Sequence, residues 1–181
     1  ISLDALEVLA ERYASLAEEK ERTAYTQDKE RFRFMKETLK RVPKKGAENL
    51  FEAIQSFILI WQTMCLEQTP NPFAFSVGNA DRIFEPYRAM TDMGRDETAA
   101  LFKHLLVFFN VADRSWAISQ NLIVSGKSSQ GKDLTNLSSY ALLDAYYDMN
   151  LPQPILSVKL HKDTPDELYE SLGRFFFTPG C

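Results

Sequence analysis

Pro152-Gln153-Pro154-Ile155-Leu156-Ser157-Val158-Lys159-Leu160 is an extended run, and Thr164-Pro165-Asp166-Glu167 just beyond it is a helix start. The two prolines disfavour helix in the residues that precede them, and the branched apolar residues from Ile155 onward suit a buried strand. In the tetrapeptide, Thr164 is the expected N-cap, Pro165 the first helical residue and Glu167 the acidic partner three residues after the cap. The same alternation recurs upstream. Leu122-Ile123-Val124, closed by Ser125-Gly126, predicts a second strand, and Phe73-Ala74-Phe75-Ser76-Val77-Gly78 a third. Between these strands the spacing predicts a loop containing Pro86, and then a long helix capped by Asp96 with Leu101, Leu105, Phe108 and Ala112 as its core face. After a polar loop from Lys127 to Lys132, a further helix is marked by Leu137, Tyr140, Leu143 and Tyr147. Strands separated by helical segments imply parallel pairing through helical crossovers, covered on both faces.

The first third of the chain is helical by periodicity. Leu6, Leu9, Tyr13 and Leu16 recur at spacings of three and four from Ser2 onward. After Asp28, Phe32, Met35, Leu39 and Val42 repeat the pattern until Pro43 stops it. A third helix carries Leu50, Ile54, Phe57, Ile58, Trp61 and Cys65 up to Pro70, and its apolar residues on nearly every side predict a helix sandwiched between layers. Three strands and at least five helices define a helix-rich α/β chain. An open sheet of that size leaves unpaired edges, and the chain opens inside one helical pattern and closes at Gly180-Cys181, so a piece of a longer protein is expected.

Composition excludes several classes. Hydrophobic residues make up 45% and charged residues 25% of the 181, with 7 glycines and 8 prolines, which is globular rather than disordered. The net charge of -4 and the mixing of lysine with glutamate leave no concentrated basic face for a nucleic acid. The basic run Lys40-Arg41-Val42-Pro43-Lys44-Lys45 is read as a solvated helix exit. The most apolar run, Phe57 to Leu66, falls well short of the roughly 20 residues of a membrane span. Cys65 and Cys181 cannot form a disulfide framework, which favours a reducing, cytoplasmic location.

Self-sufficient catalytic motifs are missing. The sequence holds no CxxC, HExxH, GxGxxG, GxxxxGK[ST] or GxSxG pattern, and its carboxylates are spread over helix faces. His104 and His161 are the only imidazoles and are read as structural; Cys181 is read as an ordinary terminal thiol.

Three stretches carry something more specific. They are Phe75-Ser76-Val77-Gly78-Asn79-Ala80-Asp81 with Pro86-Tyr87; Gln120-Asn121-Leu122-Ile123-Val124-Ser125-Gly126 with Leu134-Thr135-Asn136; and Leu151 to His161 running into Thr164-Pro165-Asp166-Glu167. In their order and spacing, together with Arg41-Val42-Pro43 and Glu52-Ala53-Ile54-Gln55-Ser56, they resemble the glycyl radical enzyme family of pyruvate formate-lyase and the radical diol dehydratases. The resemblance covers nearly the whole chain. It implies a segment of a ten-stranded α/β barrel around a dry cavity, with 1–181 a partial domain of that type: 1–70 a helical lead-in, and 71–181 strand-helix units of a half-barrel.

For function, the resemblance implies part of an anaerobic lyase or C-acyltransferase, such as a formate acetyltransferase or a dehydratase, acting on a small organic substrate. It implies no bound cofactor in this segment. The intact enzyme would carry an organic glycyl radical installed by an S-adenosylmethionine-dependent activase and would form a homo-oligomer. The family's radical glycine motif has no counterpart in these residues, and the isolated segment is expected to be inactive. Where the diol-dehydratase branch has a His-Ser pair, this chain has Phe73-Ala74, and Asn79 stands where the family has arginine. The resemblance points to Phe73, Ala74 and Ser76 as the residues nearest the substrate, with Ala74 and Ser76 on one face of the strand by alternation. A non-enzymatic scaffold built on the same barrel elements is the alternative.

Overall fold

The computed structural model describes residues 3–67, 76–110 and 120–177. The chain divides into two compact units, Ile1–Thr69 and Pro70–Cys181.

The first unit contains α1 (Leu3–Thr23), α2 (Thr26–Arg41) and α3 (Leu50–Glu67). The first two form a helical hairpin. Its antiparallel sense follows from the ion pairs: Glu21 meets Arg33 and Lys36 near the turn, while Glu7 meets Lys44 at the far end. The buried seam of α1 is Leu6, Ala10, Ala14 and Ala17, whereas Tyr13 and Leu16 are 44% and 45% exposed. The predicted face was therefore rotated by about one residue. Alanines let the two helix backbones approach closely, and the larger side chains are displaced to the flank.

Helix α2 begins at Thr26 rather than after Asp28, and Asp28 lies in its first turn, where a carboxylate complements the helix dipole. It ends as Pro43 requires, with Val42 extended and fully buried. The basic exit is not simply solvated. Arg41 bonds Glu52 at 3.0 Å and the Gly46 carbonyl at 3.1 Å, and pairs with Glu48. Asn49 caps α3 by accepting from the Glu52 amide at 2.9 Å. Along α3 the buried apolar residues are Leu50, Ala53, Ile54, Leu59 and Trp61, and Ile60 is 39% exposed. Phe34 and Phe51 add a ring contact at 4.6 Å.

The second unit runs β1 (Gly78–Asn79), α4 (Ala80–Met90), α5 (Arg95–Phe108), β2 (Asn121–Ser125), α6 (Leu137–Met149), β3 (Ile155–Lys159) and α7 (Asp166–Gly173), followed by a 3-10 turn, Arg174–Phe177. Its strands are all parallel, in the order β1-β2-β3. The expected helix-rich α/β class with parallel strands is the observed one, with more helix than the periodicity indicated.

The excess is mostly α4. The expected loop around Pro86 is a helix that contains that proline, because Ala80 and Phe84 bury one face while Pro86 itself points to solvent. Helix α5 is capped by Gly94, not Asp96, which sits in the first turn. Its buried face is Thr98, Ala99, Phe102, Leu105 and Leu106, continuing to Phe109, while Leu101 and Phe108 are half-buried and Ala112 lies outside the described residues. In α6 only Leu143 of the four expected core residues is fully buried; Ala141, Leu142 and Ala145 join it, since α6 packs on both α4 and α5. The Thr164 hydroxyl does not cap α7. It accepts from the His161 amide at 2.8 Å, and Pro165 occupies the cap position.

Candidate functional site at the carboxyl ends of the strands

Parallel pairing makes the two faces of the sheet unlike. Leu122 and Val124 are fully buried on the face where α4 and α6 contact β2. Neighbours in register share a face, so Asn79, Ile123 and Ser157, with Asn121 and Ile155 before them and Lys159 after, line the other. That second face is the open one: Ile155 is 45% exposed. It is also polar. Asn121 Nδ2 donates to Ser157 Oγ at 3.1 Å, and Lys159 Nζ reaches across β2 to Asn79 Oδ1 at 3.3 Å.

At the carboxyl end of β2 the alternation stops. Ser125 has φ 62° and Gly126 φ 100°, so the chain turns sharply away. A Cβ on Gly126 would lie 3.0 Å from Lys159 Cβ and 3.1 Å from Arg82 Nη2, so glycine is needed for space as well as for conformation. Ser125 is tied from both sides. Its amide donates to Asp81 Oδ2 at 2.6 Å, and its carbonyl accepts from Arg82 Nη2 at 2.9 Å.

Asp81 is the hub of this region. Fully buried, it also accepts from the Ser139 hydroxyl at 2.6 Å and from the Arg82 amide at 2.7 Å. Ser139 belongs to the capping box of α6: the Asn136 side chain accepts from its amide, and its own oxygen accepts from the Asn136 amide. One carboxylate thus fastens the start of α4, the end of β2 and the start of α6. Burial pushes the Asp81 carboxyl above its ordinary pKa, against the pull of the Ser139, Ser125 and Arg82 hydrogen bonds and the Arg82 charge.

A second chain of bonds runs on to β3. The Ser125 and Thr135 hydroxyls are 2.8 Å apart, Thr135 Oγ1 donates to Asp133 Oδ1 at 2.9 Å, and His161 Nε2 meets that same oxygen at 2.9 Å. The Asp163 amide donates to His161 Nδ1 at 3.3 Å. With Nδ1 accepting, Nε2 is the donor to Asp133, and Ser125 is the donor to Thr135. His161, its side chain only 5% exposed, is a structural clamp between the β2 loop and the β3 exit. His104 is exposed on α5.

Of the residues expected nearest the substrate, Phe73 and Ala74 lie outside the described residues. Ser76 is exposed, and its Oγ accepts from the Asn121 amide at 2.9 Å, which ties the approach to β1 to the start of β2. The alternation invoked for Ala74 and Ser76 runs into Gly78, whose φ of 75° interrupts a regular strand. The sequence reading placed Asp81, Ser125 and Thr135 in the family-like stretches but gave none of them, nor Arg82 or Asp133, a role in a site. A further signal was that Asp81, Arg82 and Ser125 fall at or just after strand ends, where α/β proteins place their sites.

The sequence profile of the family described as Pyruvate formate lyase-like matches residues 1–180. The chain belongs to this family. Among pyruvate formate lyase-like relatives, a trans-4-hydroxy-L-proline dehydratase of Clostridioides difficile is 28% identical over 92% of the chain, which spans 23% of that protein. The glycerol-bound B12-independent glycerol dehydratase of Clostridium butyricum superposes with a TM-score of 0.84 at 29% identity, covering 92% of this chain and 23% of that one. A Roseburia inulinivorans structure described by its 1,2-propanediol dehydration gives 0.85 at 27%, covering 94% and 22%. The chain therefore spans about a quarter of the length of the relatives it matches. The described unit corresponds to a helix-rich α/β segment of the glycyl radical enzyme barrel.

Proposed function

We propose that this chain forms part of the cavity wall of a glycyl radical dehydratase acting on a small organic substrate. The observation that carries the reading is the superposition of nearly the whole chain on dehydratases at 27–29% identity. The open, polar face of its parallel sheet supports it, because a wall of this kind needs one face sealed by helices and the other turned toward reactants. The radical glycine motif has no counterpart in the 181 residues, so this segment does not fit the radical itself. Its own residues shape, orient and exclude water. In this reading 1–70 is the helical lead-in and 71–181 the strand-helix part of a half-barrel; the isolated segment is inactive, and the intact cytoplasmic enzyme is a homo-oligomer that meets a radical-activating partner using S-adenosylmethionine. A lyase is favoured over a C-acyltransferase because the named relatives are dehydratases.

Phe73, Ala74 and Ser76 are the proposed substrate-proximal residues, with Phe73 at the rim. A small side chain at position 74 leaves room, and a cavity closed to water protects reactive intermediates. The test uses the intact enzyme, activated anaerobically and assayed with trans-4-hydroxy-L-proline, glycerol and 1,2-propanediol while the radical is followed by electron paramagnetic resonance. Ala74→Leu is expected to raise KM or abolish turnover with the radical signal unchanged. A variant that turns over normally removes Ala74 from the cavity. An intact protein that never acquires a radical favours the non-enzymatic scaffold.

A further inference from the structure

Two cations meet over Gly126, and among the described residues neither Lys159 nor Arg82 has a side-chain ion pair with a carboxylate. Among the described residues, Lys159 Nζ has only the neutral Asn79 amide oxygen, at 3.3 Å. The Arg82 guanidinium bonds the Ser125 carbonyl through Nη2, and its buried Nε has no partner. Both side chains crowd the same glycine, with Arg82 Nη2 and Lys159 Cδ 3.1 and 3.2 Å from where a Cβ would stand. Like charges so placed repel unless something negative joins them. Asp81 offsets Arg82 in part, but both its oxygens are already engaged by Ser125, Ser139 and the Arg82 amide.

We propose that Lys159 and Arg82, at the carboxyl ends of β3 and β1, form a subsite for an anionic oxygen group, a carboxylate or a phosphate. The position suits a ligand, since parallel sheets bind theirs beyond the carboxyl ends of the strands. The chemistry suits an anion: Arg82 offers planar N–H donors and Lys159 a mobile ammonium that can leave Asn79 for a charged acceptor. Asn79 is the N-cap of α4 without a side-chain capping bond, so the positive end of that helix adds to the field. Gly126, with no Cβ, lets the two side chains converge on the same stretch of backbone. As an assignment of substrate class, the inference rests on reading the open face as the cavity wall; it then makes the substrate an acid rather than a neutral polyol.

Titrating the full chain with sodium acetate, inorganic phosphate and glycerol at constant ionic strength, followed by 15N nuclear magnetic resonance of the Gly126 amide and Arg82 Nε, tests the subsite without reading turnover. Saturable shifts with acetate or phosphate but not glycerol are expected, and the tighter of the two anions names the group. Lys159→Gln should weaken binding about tenfold or more, the loss of one charge-assisted hydrogen bond. Lys159→Arg should restore it. Absence of saturation with either anion overturns the proposal, as does equal binding by Lys159→Gln, which would mark an adventitious ion only. Because binding alone is measured, failure of the dehydratase assay leaves this result standing, and failure here leaves the dehydratase reading standing.

Discussion

The two units of this chain are held by different physics. In the first, a seam of Leu6 and three alanines brings α1 against α2, and among its flanking ion pairs Arg33 and Lys44 keep more than half of their side-chain surface exposed while Glu21 and Lys36 are mostly covered. In the second, the apolar core of Phe84, Phe102, Leu105, Leu142 and Leu143 is crossed by a buried polar network centred on Asp81. A packed seam specifies that two helices meet. A network that joins α4, β2 and α6 through single oxygens also specifies how the strand ends are aimed, which is what a site needs.

The sharpest way to break this contrast is Asp81→Ala. It strands the Ser125 amide and the Ser139 hydroxyl and should destabilise the second unit by about 3–5 kcal/mol. Hydrogen exchange should show lost protection in β2 and α6 with α1 and α2 unaffected; uniform loss across both units would show that they unfold together. Gly126→Ala should cost roughly 1–3 kcal/mol, through its left-handed φ and the crowding by Lys159 and Arg82, in denaturant melts of the same unit. In the first unit, Ala14→Leu should cost about 1–3 kcal/mol by forcing the hairpin apart. A neutral result would mean that the seam has slack.

Acid should separate the units more gently. Burial raises the Asp144 and Glu85 carboxyls, but Arg95 and Arg174 on the one, and Arg88 and Ser138 on the other, outweigh it and hold both below their ordinary values. Their contribution is therefore present above the unfolded-state values of roughly 4 and is lost as the pH falls through the lower folded values. Asp81 has the opposite sign. Its folded value is raised, so its preference for the protonated form is present at low pH and is lost as the pH rises through that raised value. Asp144→Asn should flatten the acid limb of the stability profile measured by thermal melts. The smallest effect is expected for Glu21→Gln, whose pairs with Arg33 and Lys36 lie on the flank of the hairpin and should matter less at molar salt than at low salt.

Most elements were legible because their periodicities are local. Leu122-Ile123-Val124 and Ile155 to Lys159 read as strands and are strands; the helices around Leu50, Leu105 and Leu143 read as helices and are helices. The misreadings share one cause. Tyr13 and Leu16 in α1, and Leu101 and Phe108 in α5, fit a helical stripe as well as the residues beside them do, and only the approach of a partner helix selected the neighbouring face. Pro86 argued for a loop because proline opposes helix locally, yet Ala80 and Phe84 pack well enough to hold one around it.

The sequence alone determined the order of helices and strands apart from α4, the parallel pairing and the family, since these rest on hydrophobic spacing, proline and glycine positions, and motifs that lie along the chain. Only the tertiary structure decided that Asp81 would bind Ser125 and Ser139, 44 and 58 residues away, or that Arg82 and Lys159 would share Gly126. Such contacts join residues from different elements at the ends of neighbouring strands. They depend on the register of the sheet and on which way each strand leaves it, and neither is written in any local run of side chains.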